Sequence, residues 1–436
     1  MDPILVGLLG IVALLVLLFL GVHIGMAMVI VGFIGCIFVT GGNVTAAMGY
    51  LKTVPFTTSA TFNLSVIPMF VLMGQIAYYA GISGDLYNFC YKVLGRIRGG
   101  LAVATIAACA GFAAICGSAT ATTATMGIVC LPEMEKYGYK DTLSCGAISA
   151  GGTLGILIPP STGFILYGTA AEVAVGKMFM AGIFPGILLA VIYAITVIII
   201  CTVDKDAGPQ GPKVPMSEKI KSLTGILPVV ILFALVLGGI FLGWFTPNEG
   251  GAIGAFGAFV FMLIRKKATF KNIVASLYDT IKTTAMIFLI MIGAYVFGYF
   301  LTLSRMPSEL AAFAAGLDVS PYVILAAILI VYAVLGCFVD SLPLIVLLVP
   351  IFLPIVTGLG FDKIWFGVLM VMIMQLGLIT PPVGMCCYVM AGVAKKTPLQ
   401  RIFKGTAPFI VALVIAVAIV MAVEPLSTWL PGVMTN

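Results

Sequence analysis

Two short stretches carry the residues best suited to binding an ion: "LGILIPPSTG" at 154–163 and "LGLITPPVGM" at 376–385, each with adjacent prolines inside an apolar run. Proline in a helix interior removes a hydrogen bond and clashes with the preceding turn, which frees carbonyl oxygens. In hydrocarbon such oxygens are tolerated only where protein, water or an ion meets them. A hard cation such as sodium takes oxygen ligands, and freed carbonyls supply them without a formal charge. The carbonyls so placed belong to Gly155, Leu157, Ile158 and Pro160 in the first copy, and to Gly377, Thr380 and Val383 in the second. A kink that only shapes packing would explain one such break; the doubled motif favours the ion.

Other polar groups in apolar surroundings are few. The stretch "GSATATTAT", 117–125, is small and hydroxyl-rich, which suits the tight tip of a helical hairpin. Ser118 is then a candidate ligand contact, whereas Thr120, Thr122 and Thr123 read as packing residues. Asp340, in "VYAVLGCFVDSLPLIVLLVP", is the one acid deep in an apolar run, and an intramembrane carboxylate is by default a functional candidate. With Ser341 it could face a solute, face an ion, or cap the helix that follows. His23, the only histidine, lies at a junction between spans and Glu249 reads as a helix cap; Arg305 reads as a solvated loop charge. The ten cysteines show no metal-ligand spacing. No enzyme constellation is present, so the expectation is a protein that is not an enzyme.

The elements that must position these residues are membrane helices. The 436 residues are 62% hydrophobic and 9% charged, more apolar than a soluble fold can bury. The fold class is therefore an all-α polytopic membrane protein, embedded in a lipid bilayer. Hydropathy places spans near 3–21, 22–41, 64–82, 141–172, 179–203, 222–245, 249–265, 284–304, 361–394 and 406–430. The stretches 99–131 and 320–357 are each either two crossings or one re-entrant hairpin. Segments 44–60, 268–282 and 395–405 read as amphipathic helices along the interface. The loop 204–216, rich in Gly, Pro and charge, reads as a linker at the midpoint. If that loop is cytoplasmic, every basic residue except Lys52, Lys177, Arg305 and Lys363 falls inside. This positive-inside asymmetry puts both termini outside, and it explains the net charge of +6 without a nucleic acid partner.

A shift of 222 residues lays Pro159–Pro160 on Pro381–Pro382, Gly155 on Gly377, and 114–125 on 336–347. The chain crosses the membrane an odd number of times between the two breaks, so the copies point in opposite directions. Paired interrupted helices in an inverted-topology repeat are the sequence pointer to the binding site of a secondary transporter. The repeats are expected at 1–203 and 222–436, joined by a cytoplasmic linker at 204–221.

These features resemble the large membrane subunit of the tripartite ATP-independent periplasmic (TRAP) transporters. The motifs that carry the resemblance are "CGSATATTATMGIVCLPEMEKYGY", "GAISAGGTLGILIPPSTGFILYG" and "QLGLITPPVGM", and it extends over essentially the whole chain. It implies sodium-driven import of a small organic acid, a C4-dicarboxylate, sialic acid or similar carboxylate, at the bacterial inner membrane. Its implied partners are a small membrane subunit, absent from this chain, and a periplasmic substrate-binding protein. The implied fold is an elevator, with hairpins 99–131 and 320–357 and broken helices 141–172 and 361–394 moving against a scaffold. That scaffold would comprise 3–41, 179–203, 222–265 and 406–430, with arms at 44–60 and 268–282. Carried over by residue, one sodium site uses Ser118, Gly155, Leu157 and Pro160, and a second uses Gly336, Gly377, Thr380 and Val383. The solute would meet Ser118, Ser161, Thr162, Asp340 and Ser341. The family's first tip often carries more serine than the alanine and threonine found here. The alternatives are an anion/sodium symporter of the same fold that needs no binding protein, and an assembly subunit that moves no solute.

Overall fold

The computed structural model describes residues 2–211 and 213–434. Among them every regular element is a helix, and seven are long and apolar enough to cross a bilayer. The first half runs α1 (Pro3–Phe19), α2 (Ile24–Val39), α3 (Val44–Ser59), α4 (Val66–Tyr79), α5 (Ile82–Leu94), α6 (Gly100–Cys116), α7 (Ala119–Lys136), α8 (Asp141–Thr153), α9 (Thr162–Ala170) and α10 (Val175–Val203). The second runs α11 (Met216–Phe241), α12 (Pro247–Ile264), α13 (Phe270–Leu303), α14 (Met306–Ala315), α15 (Pro321–Gly336), α16 (Ser341–Gly358), α17 (Lys363–Ile379), α18 (Met385–Val393), α19 (Leu399–Ala422) and α20 (Pro425–Val433).

Lipid-facing and core-facing sides are both apolar. On α10, Ile187, Val191, Ile195 and Ile199 recur at every fourth position and are exposed, while Phe179, Tyr193 and Val197 are buried. A helix apolar on all sides fits a membrane span rather than the surface of a soluble domain. Elsewhere a cap fixes a helix start. Thr246 and Glu249 form a reciprocal capping box on α12.

Both Pro-Pro motifs interrupt helices. After α8 comes a short 3-10 turn, Leu154–Ile156, and α9 begins at Thr162. In the second half α17 stops at Ile379 and α18 starts at Met385, after Gly384 at φ +54°. The Pro159–Pro160 and Pro381–Pro382 peptides are both cis. Helices α6 and α7 pack on each other around a turn at Gly117–Ser118, and α15 and α16 do so around residues 337–340. The 222-residue offset that relates the two breaks also carries 119–136 of α7 onto 341–358, the bounds of α16.

Several boundaries differ from the hydropathy reading. The arm at 268–282 and the span at 284–304 are one helix, α13, of 34 residues. Nothing in "TIKTTAM" breaks a helix; the polar residues changed the environment of the segment, not its conformation. The interfacial segment 395–405 is a turn followed by the first residues of α19, and 406–430 divides into α19 and the short α20. The short helices α5 and α14 went unread. The linker 204–216 is tied down over 204–211. Gly99 N–H donates to Gly208 O, Lys140 N–H to Ala207 O and Gly211 N–H to Gly95 O, and Lys140 pairs with Asp204 at 2.6 Å. That contact raises the Lys140 pKa and lowers that of Asp204.

Packing also regroups the spans. Helix α8 packs on α6, α7 and α19, and α17 packs on α10, α15, α16 and α19. Thus 179–203 and 406–430, expected among the scaffold helices, lie against the hairpins and broken helices. Helix α13 packs on α2, α4 and α16, α12 on α4 and α11, and α4 also on α6. The physical reason is glycine. A Cβ on Gly146 of α8 would collide with the Gly405 carbonyl of α19, and one on Gly405 with the Thr142 carbonyl. Such close backbone approach is how helices associate without a hydrophobic driving force. Gly405→Ala is therefore expected to lower the melting temperature in detergent by several degrees. Gly49→Ala on α3, where an added Cβ meets nothing within 4 Å, should be neutral or stabilising by about 0.5–1 kcal/mol.

Candidate functional site

Each hairpin tip is docked onto one helix break. At the first, Thr162 donates to the Gly117 carbonyl twice, from its N–H at 3.3 Å and from Oγ1 at 2.8 Å. At the second, Val383 N–H donates to the Cys337 carbonyl at 3.3 Å. Beside each clasp sits a glycine with no room for a side chain. A Cβ on Gly155 would strike the Ser118 carbonyl, and one on Gly377 the Gly336 carbonyl. Gly117, at φ +65°, approaches the Pro160 carbonyl so closely that a Cβ would lie 2.6 Å from its oxygen. Backbone oxygens are thus gathered in two places where a cation would find them.

The freed carbonyls are not all available. Ser161 Oγ–H donates to Ile156 O, and its oxygen accepts from Phe164 N–H, capping α9. Ile379 O accepts from Thr406 Oγ1 of α19 at 2.9 Å. Leu157 O points at α10, 2.7 Å from where a Cβ on Gly182 would stand. Of the first-site candidates, Ser118, Gly155 and Pro160 therefore lie together at the tip, and Leu157 faces a neighbouring helix. Of the second, Gly336 and Gly377 touch, and Thr380 and Val383 complete the turn. Thr380 Oγ1 is buried without a hydrogen-bond partner. An orphaned hydroxyl beside a carbonyl cradle fits a ligand position.

Between the tips lies a cavity of about 390 Å³ whose wall includes Ser118, Thr162 and Asp340. Of the expected solute contacts these three are brought together. Ser161 is fully buried as a cap, and Ser341 is buried with its Oγ unpartnered, its N–H held by Asp340 Oδ1 at 2.7 Å. Residues 380–384 do not reach the cavity. The first break is buried throughout, including both prolines, whereas Pro381 and Pro382 are exposed.

Sequence reading missed Gln75 of α4 and Thr283 of α13, which also line the cavity, and read Thr120, another wall residue, as packing. Gln75 is the one amide side chain inside "VIPMFVLMGQIAYY", so a polar residue within a span was the available signal. Gln375 was missed in the same way; it is fully buried on α17, and neither amide atom has a partner. The wall contains no lysine, arginine or histidine among the described residues. The starts of α7 and α9, at Ser118 and Thr162, bring backbone N–H groups of partial positive charge to the wall, while Asp340 caps the start of α16.

Thr162→Val should remove the stronger half of the first clasp, worth about 1 kcal/mol. The expected outcome is faster amide hydrogen exchange across 115–121 with the global melting temperature nearly unchanged.

Residues 11–426 match the family model described as the DctM component of tripartite ATP-independent periplasmic transporters. The C4-dicarboxylate TRAP transporter large permease of Pseudomonas aeruginosa is 36% identical over 378 residues, covering 86% of this chain and 88% of that protein. The sialic acid TRAP transporter large permease of Vibrio cholerae is 31% identical, covering 85% and 86%. Among solved structures, the YdaH transporter of Alcanivorax borkumensis aligns with a TM-score of 0.65 at 15% identity, covering 89% of this chain and 90% of that one. The last likeness shows the fold alone.

Proposed function

The chain belongs to the DctM family of tripartite ATP-independent periplasmic transporters, and we propose that it imports a small organic acid by coupling it to the sodium gradient. Membership makes it the large permease of a multi-pass inner-membrane assembly that also has a small membrane subunit and a periplasmic substrate-binding protein. The named relatives supply the solute class: a C4-dicarboxylate, a sialic acid or a similar carboxylate.

The observation that carries the reading is the doubled clasp, a hairpin tip on a helix break in each half, with one cavity between them. In this proposal the first sodium ion takes the carbonyls of Ser118, Gly155 and Pro160. The second takes Gly336, Gly377, the Thr380 hydroxyl and Val383. Bound sodium supplies positive charge beside a cavity that lacks cationic side chains, so the solute anion and the ions stabilise each other. The starts of α7 and α9 orient the solute carboxylate, and the apolar walls exclude water from its carbon skeleton. Helices α6–α10 and α15–α19 move together as the elevator, because they pack around the clasps, against the group formed by α2, α4 and α11–α13. The halves are an inverted-topology repeat with both termini periplasmic.

The test is uptake into liposomes holding this chain with its small subunit, supplied with a solute-loaded binding protein. An inward sodium gradient should drive accumulation and an equal potassium gradient should not. Sodium-independent uptake would remove the coupling, and uptake without the binding protein would support the self-sufficient symporter instead. Thr380→Val should raise the half-saturating sodium concentration about tenfold, the loss of one ligand bond of roughly 1.4 kcal/mol, at unchanged expression.

A further inference from the structure

Four lysines, Lys266, Lys267, Lys271 and Lys282, stand exposed around the corner between α12 and α13, and none pairs with a carboxylate among the described residues. Asp279, the one acid on this part of α13, accepts instead from the Tyr79 hydroxyl of α4 at 2.7 Å. Arg265 is committed as well, to the Asp85 carboxylate and to the Gly225 carbonyl. Lys266 lies at φ +55°, in the left-handed position that closes α12. Glycine takes that conformation without strain and lysine does not, so the corner holds a charge where the backbone favours none.

Beside the lysines runs an exposed apolar stripe. Phe270, Val274, Leu277, Tyr278 and Ile281 recur at helical spacing on one face of α13, with Phe270 84% and Ile281 67% exposed. Lys271 and Lys282 lie about three turns apart along one edge of that stripe, while Ser276 and Thr280 are buried on the side turned away from it. The same helix continues unbroken into its bilayer-crossing part. Stripe and lysines therefore meet the membrane where hydrocarbon gives way to headgroups.

We propose that this corner is a binding surface for anionic phospholipid, with the stripe among the upper acyl chains and the four lysines on the phosphates. An apolar helix face edged by basic residues lies in the plane of the interface, and each lysine near an anionic surface adds to the attraction. The surface belongs to one half only. The 222-residue offset lays α3 on this part of α13, and α3 exposes Val44 and Phe56 but carries a single lysine, Lys52. Both segments rest against lipid, and only the second distinguishes lipids by charge.

The test is hydrogen exchange of the full chain in nanodiscs of phosphatidylcholine alone and of phosphatidylcholine mixed with phosphatidylglycerol in equal parts. Amides across 265–275 are expected to exchange about tenfold more slowly in the anionic discs, with 44–59 the same in both. Raising the salt to about 1 M, which shortens the screening length to about 3 Å, should remove most of the difference. Lys266→Gln, Lys267→Gln and Lys271→Gln together should abolish it at an unchanged melting temperature in phosphatidylcholine, whereas Lys52→Gln should leave it intact. If the triple variant does not fold, the salt response of the wild type decides. Equal exchange in the two discs overturns the proposal, and so does a slowing that survives the triple substitution or the added salt. Protection of 265–275 that appears only on adding the small membrane subunit, whatever the lipid, overturns it too, because the face would then be a subunit contact.

Discussion

In a bilayer interior no backbone amide or carbonyl can be left to water, and the structure depends on how this chain meets that constraint where it breaks two helices. The breaks release carbonyls at Ile156 and Ile379, and each is claimed by a hydroxyl, from Ser161 in one half and from Thr406 in the other. The neighbouring amides at Thr162 and Val383 are claimed by the hairpin tips. What remains is a small set of oxygens held in place on both sides. A break whose spare groups were all paired would be inert, and one with none paired would not stay folded. In the proposed mechanism the partly satisfied break is the state in which an added cation would complete the coordination of the remaining oxygens.

The same constraint explains the glycines. Carbonyls from two segments converge only if the chains approach backbone to backbone, and Gly155 against Ser118 and Gly377 against Gly336 do this. The demand extends outward. Helix α10 reaches the first break because Gly182 and Gly186 lie against Leu157 and Ile158, and α19 reaches α8 through Gly405 and Gly146. Residues far from any ligand are therefore selected by the geometry of the breaks. This is also why α10 and α19 belong with the hairpins: their small residues are spent on these contacts, while their outer faces carry large apolar side chains for lipid.

Much of this was legible in the sequence, because proline, glycine and an isolated aspartate are conspicuous in apolar surroundings. The two breaks, the tip at Gly117–Ser118 and Asp340 were all found from residue type alone. What escaped was whatever depends on partners distant in sequence. Gln75 and Thr283 lie on helices outside the hairpins and join the wall only through tertiary packing. The continuity of α13 escaped because a polar face and an apolar run look like two elements when hydropathy is read along the chain, although helix propensity does not change between them. The 204–211 segment has the composition of a linker; its order comes from Tyr139, Gly95 and Gly99, whose chain neighbours give no hint of it. The standing of Leu157 shows the same limit from the other side. A freed carbonyl can be counted from sequence, but its direction is set by the helix packed against it.

The electrostatic design follows from what the cavity lacks. An arginine or lysine would bind an organic acid strongly in every state of the protein, and a transporter must also release its solute. In the proposed mechanism, attraction shared between helix termini and exchangeable ions would make affinity conditional, since the fixed part is weak and the strong part leaves with the cations. Asp340 reinforces this. Asp340 is the one charged side chain of the wall among the described residues, so in the proposed mechanism an anion would gain a stable position there only once positive charge had arrived beside it. In the proposed coupling no communication over distance is required, because Ser118 lines the cavity and its carbonyl lies against Gly155 at the first break.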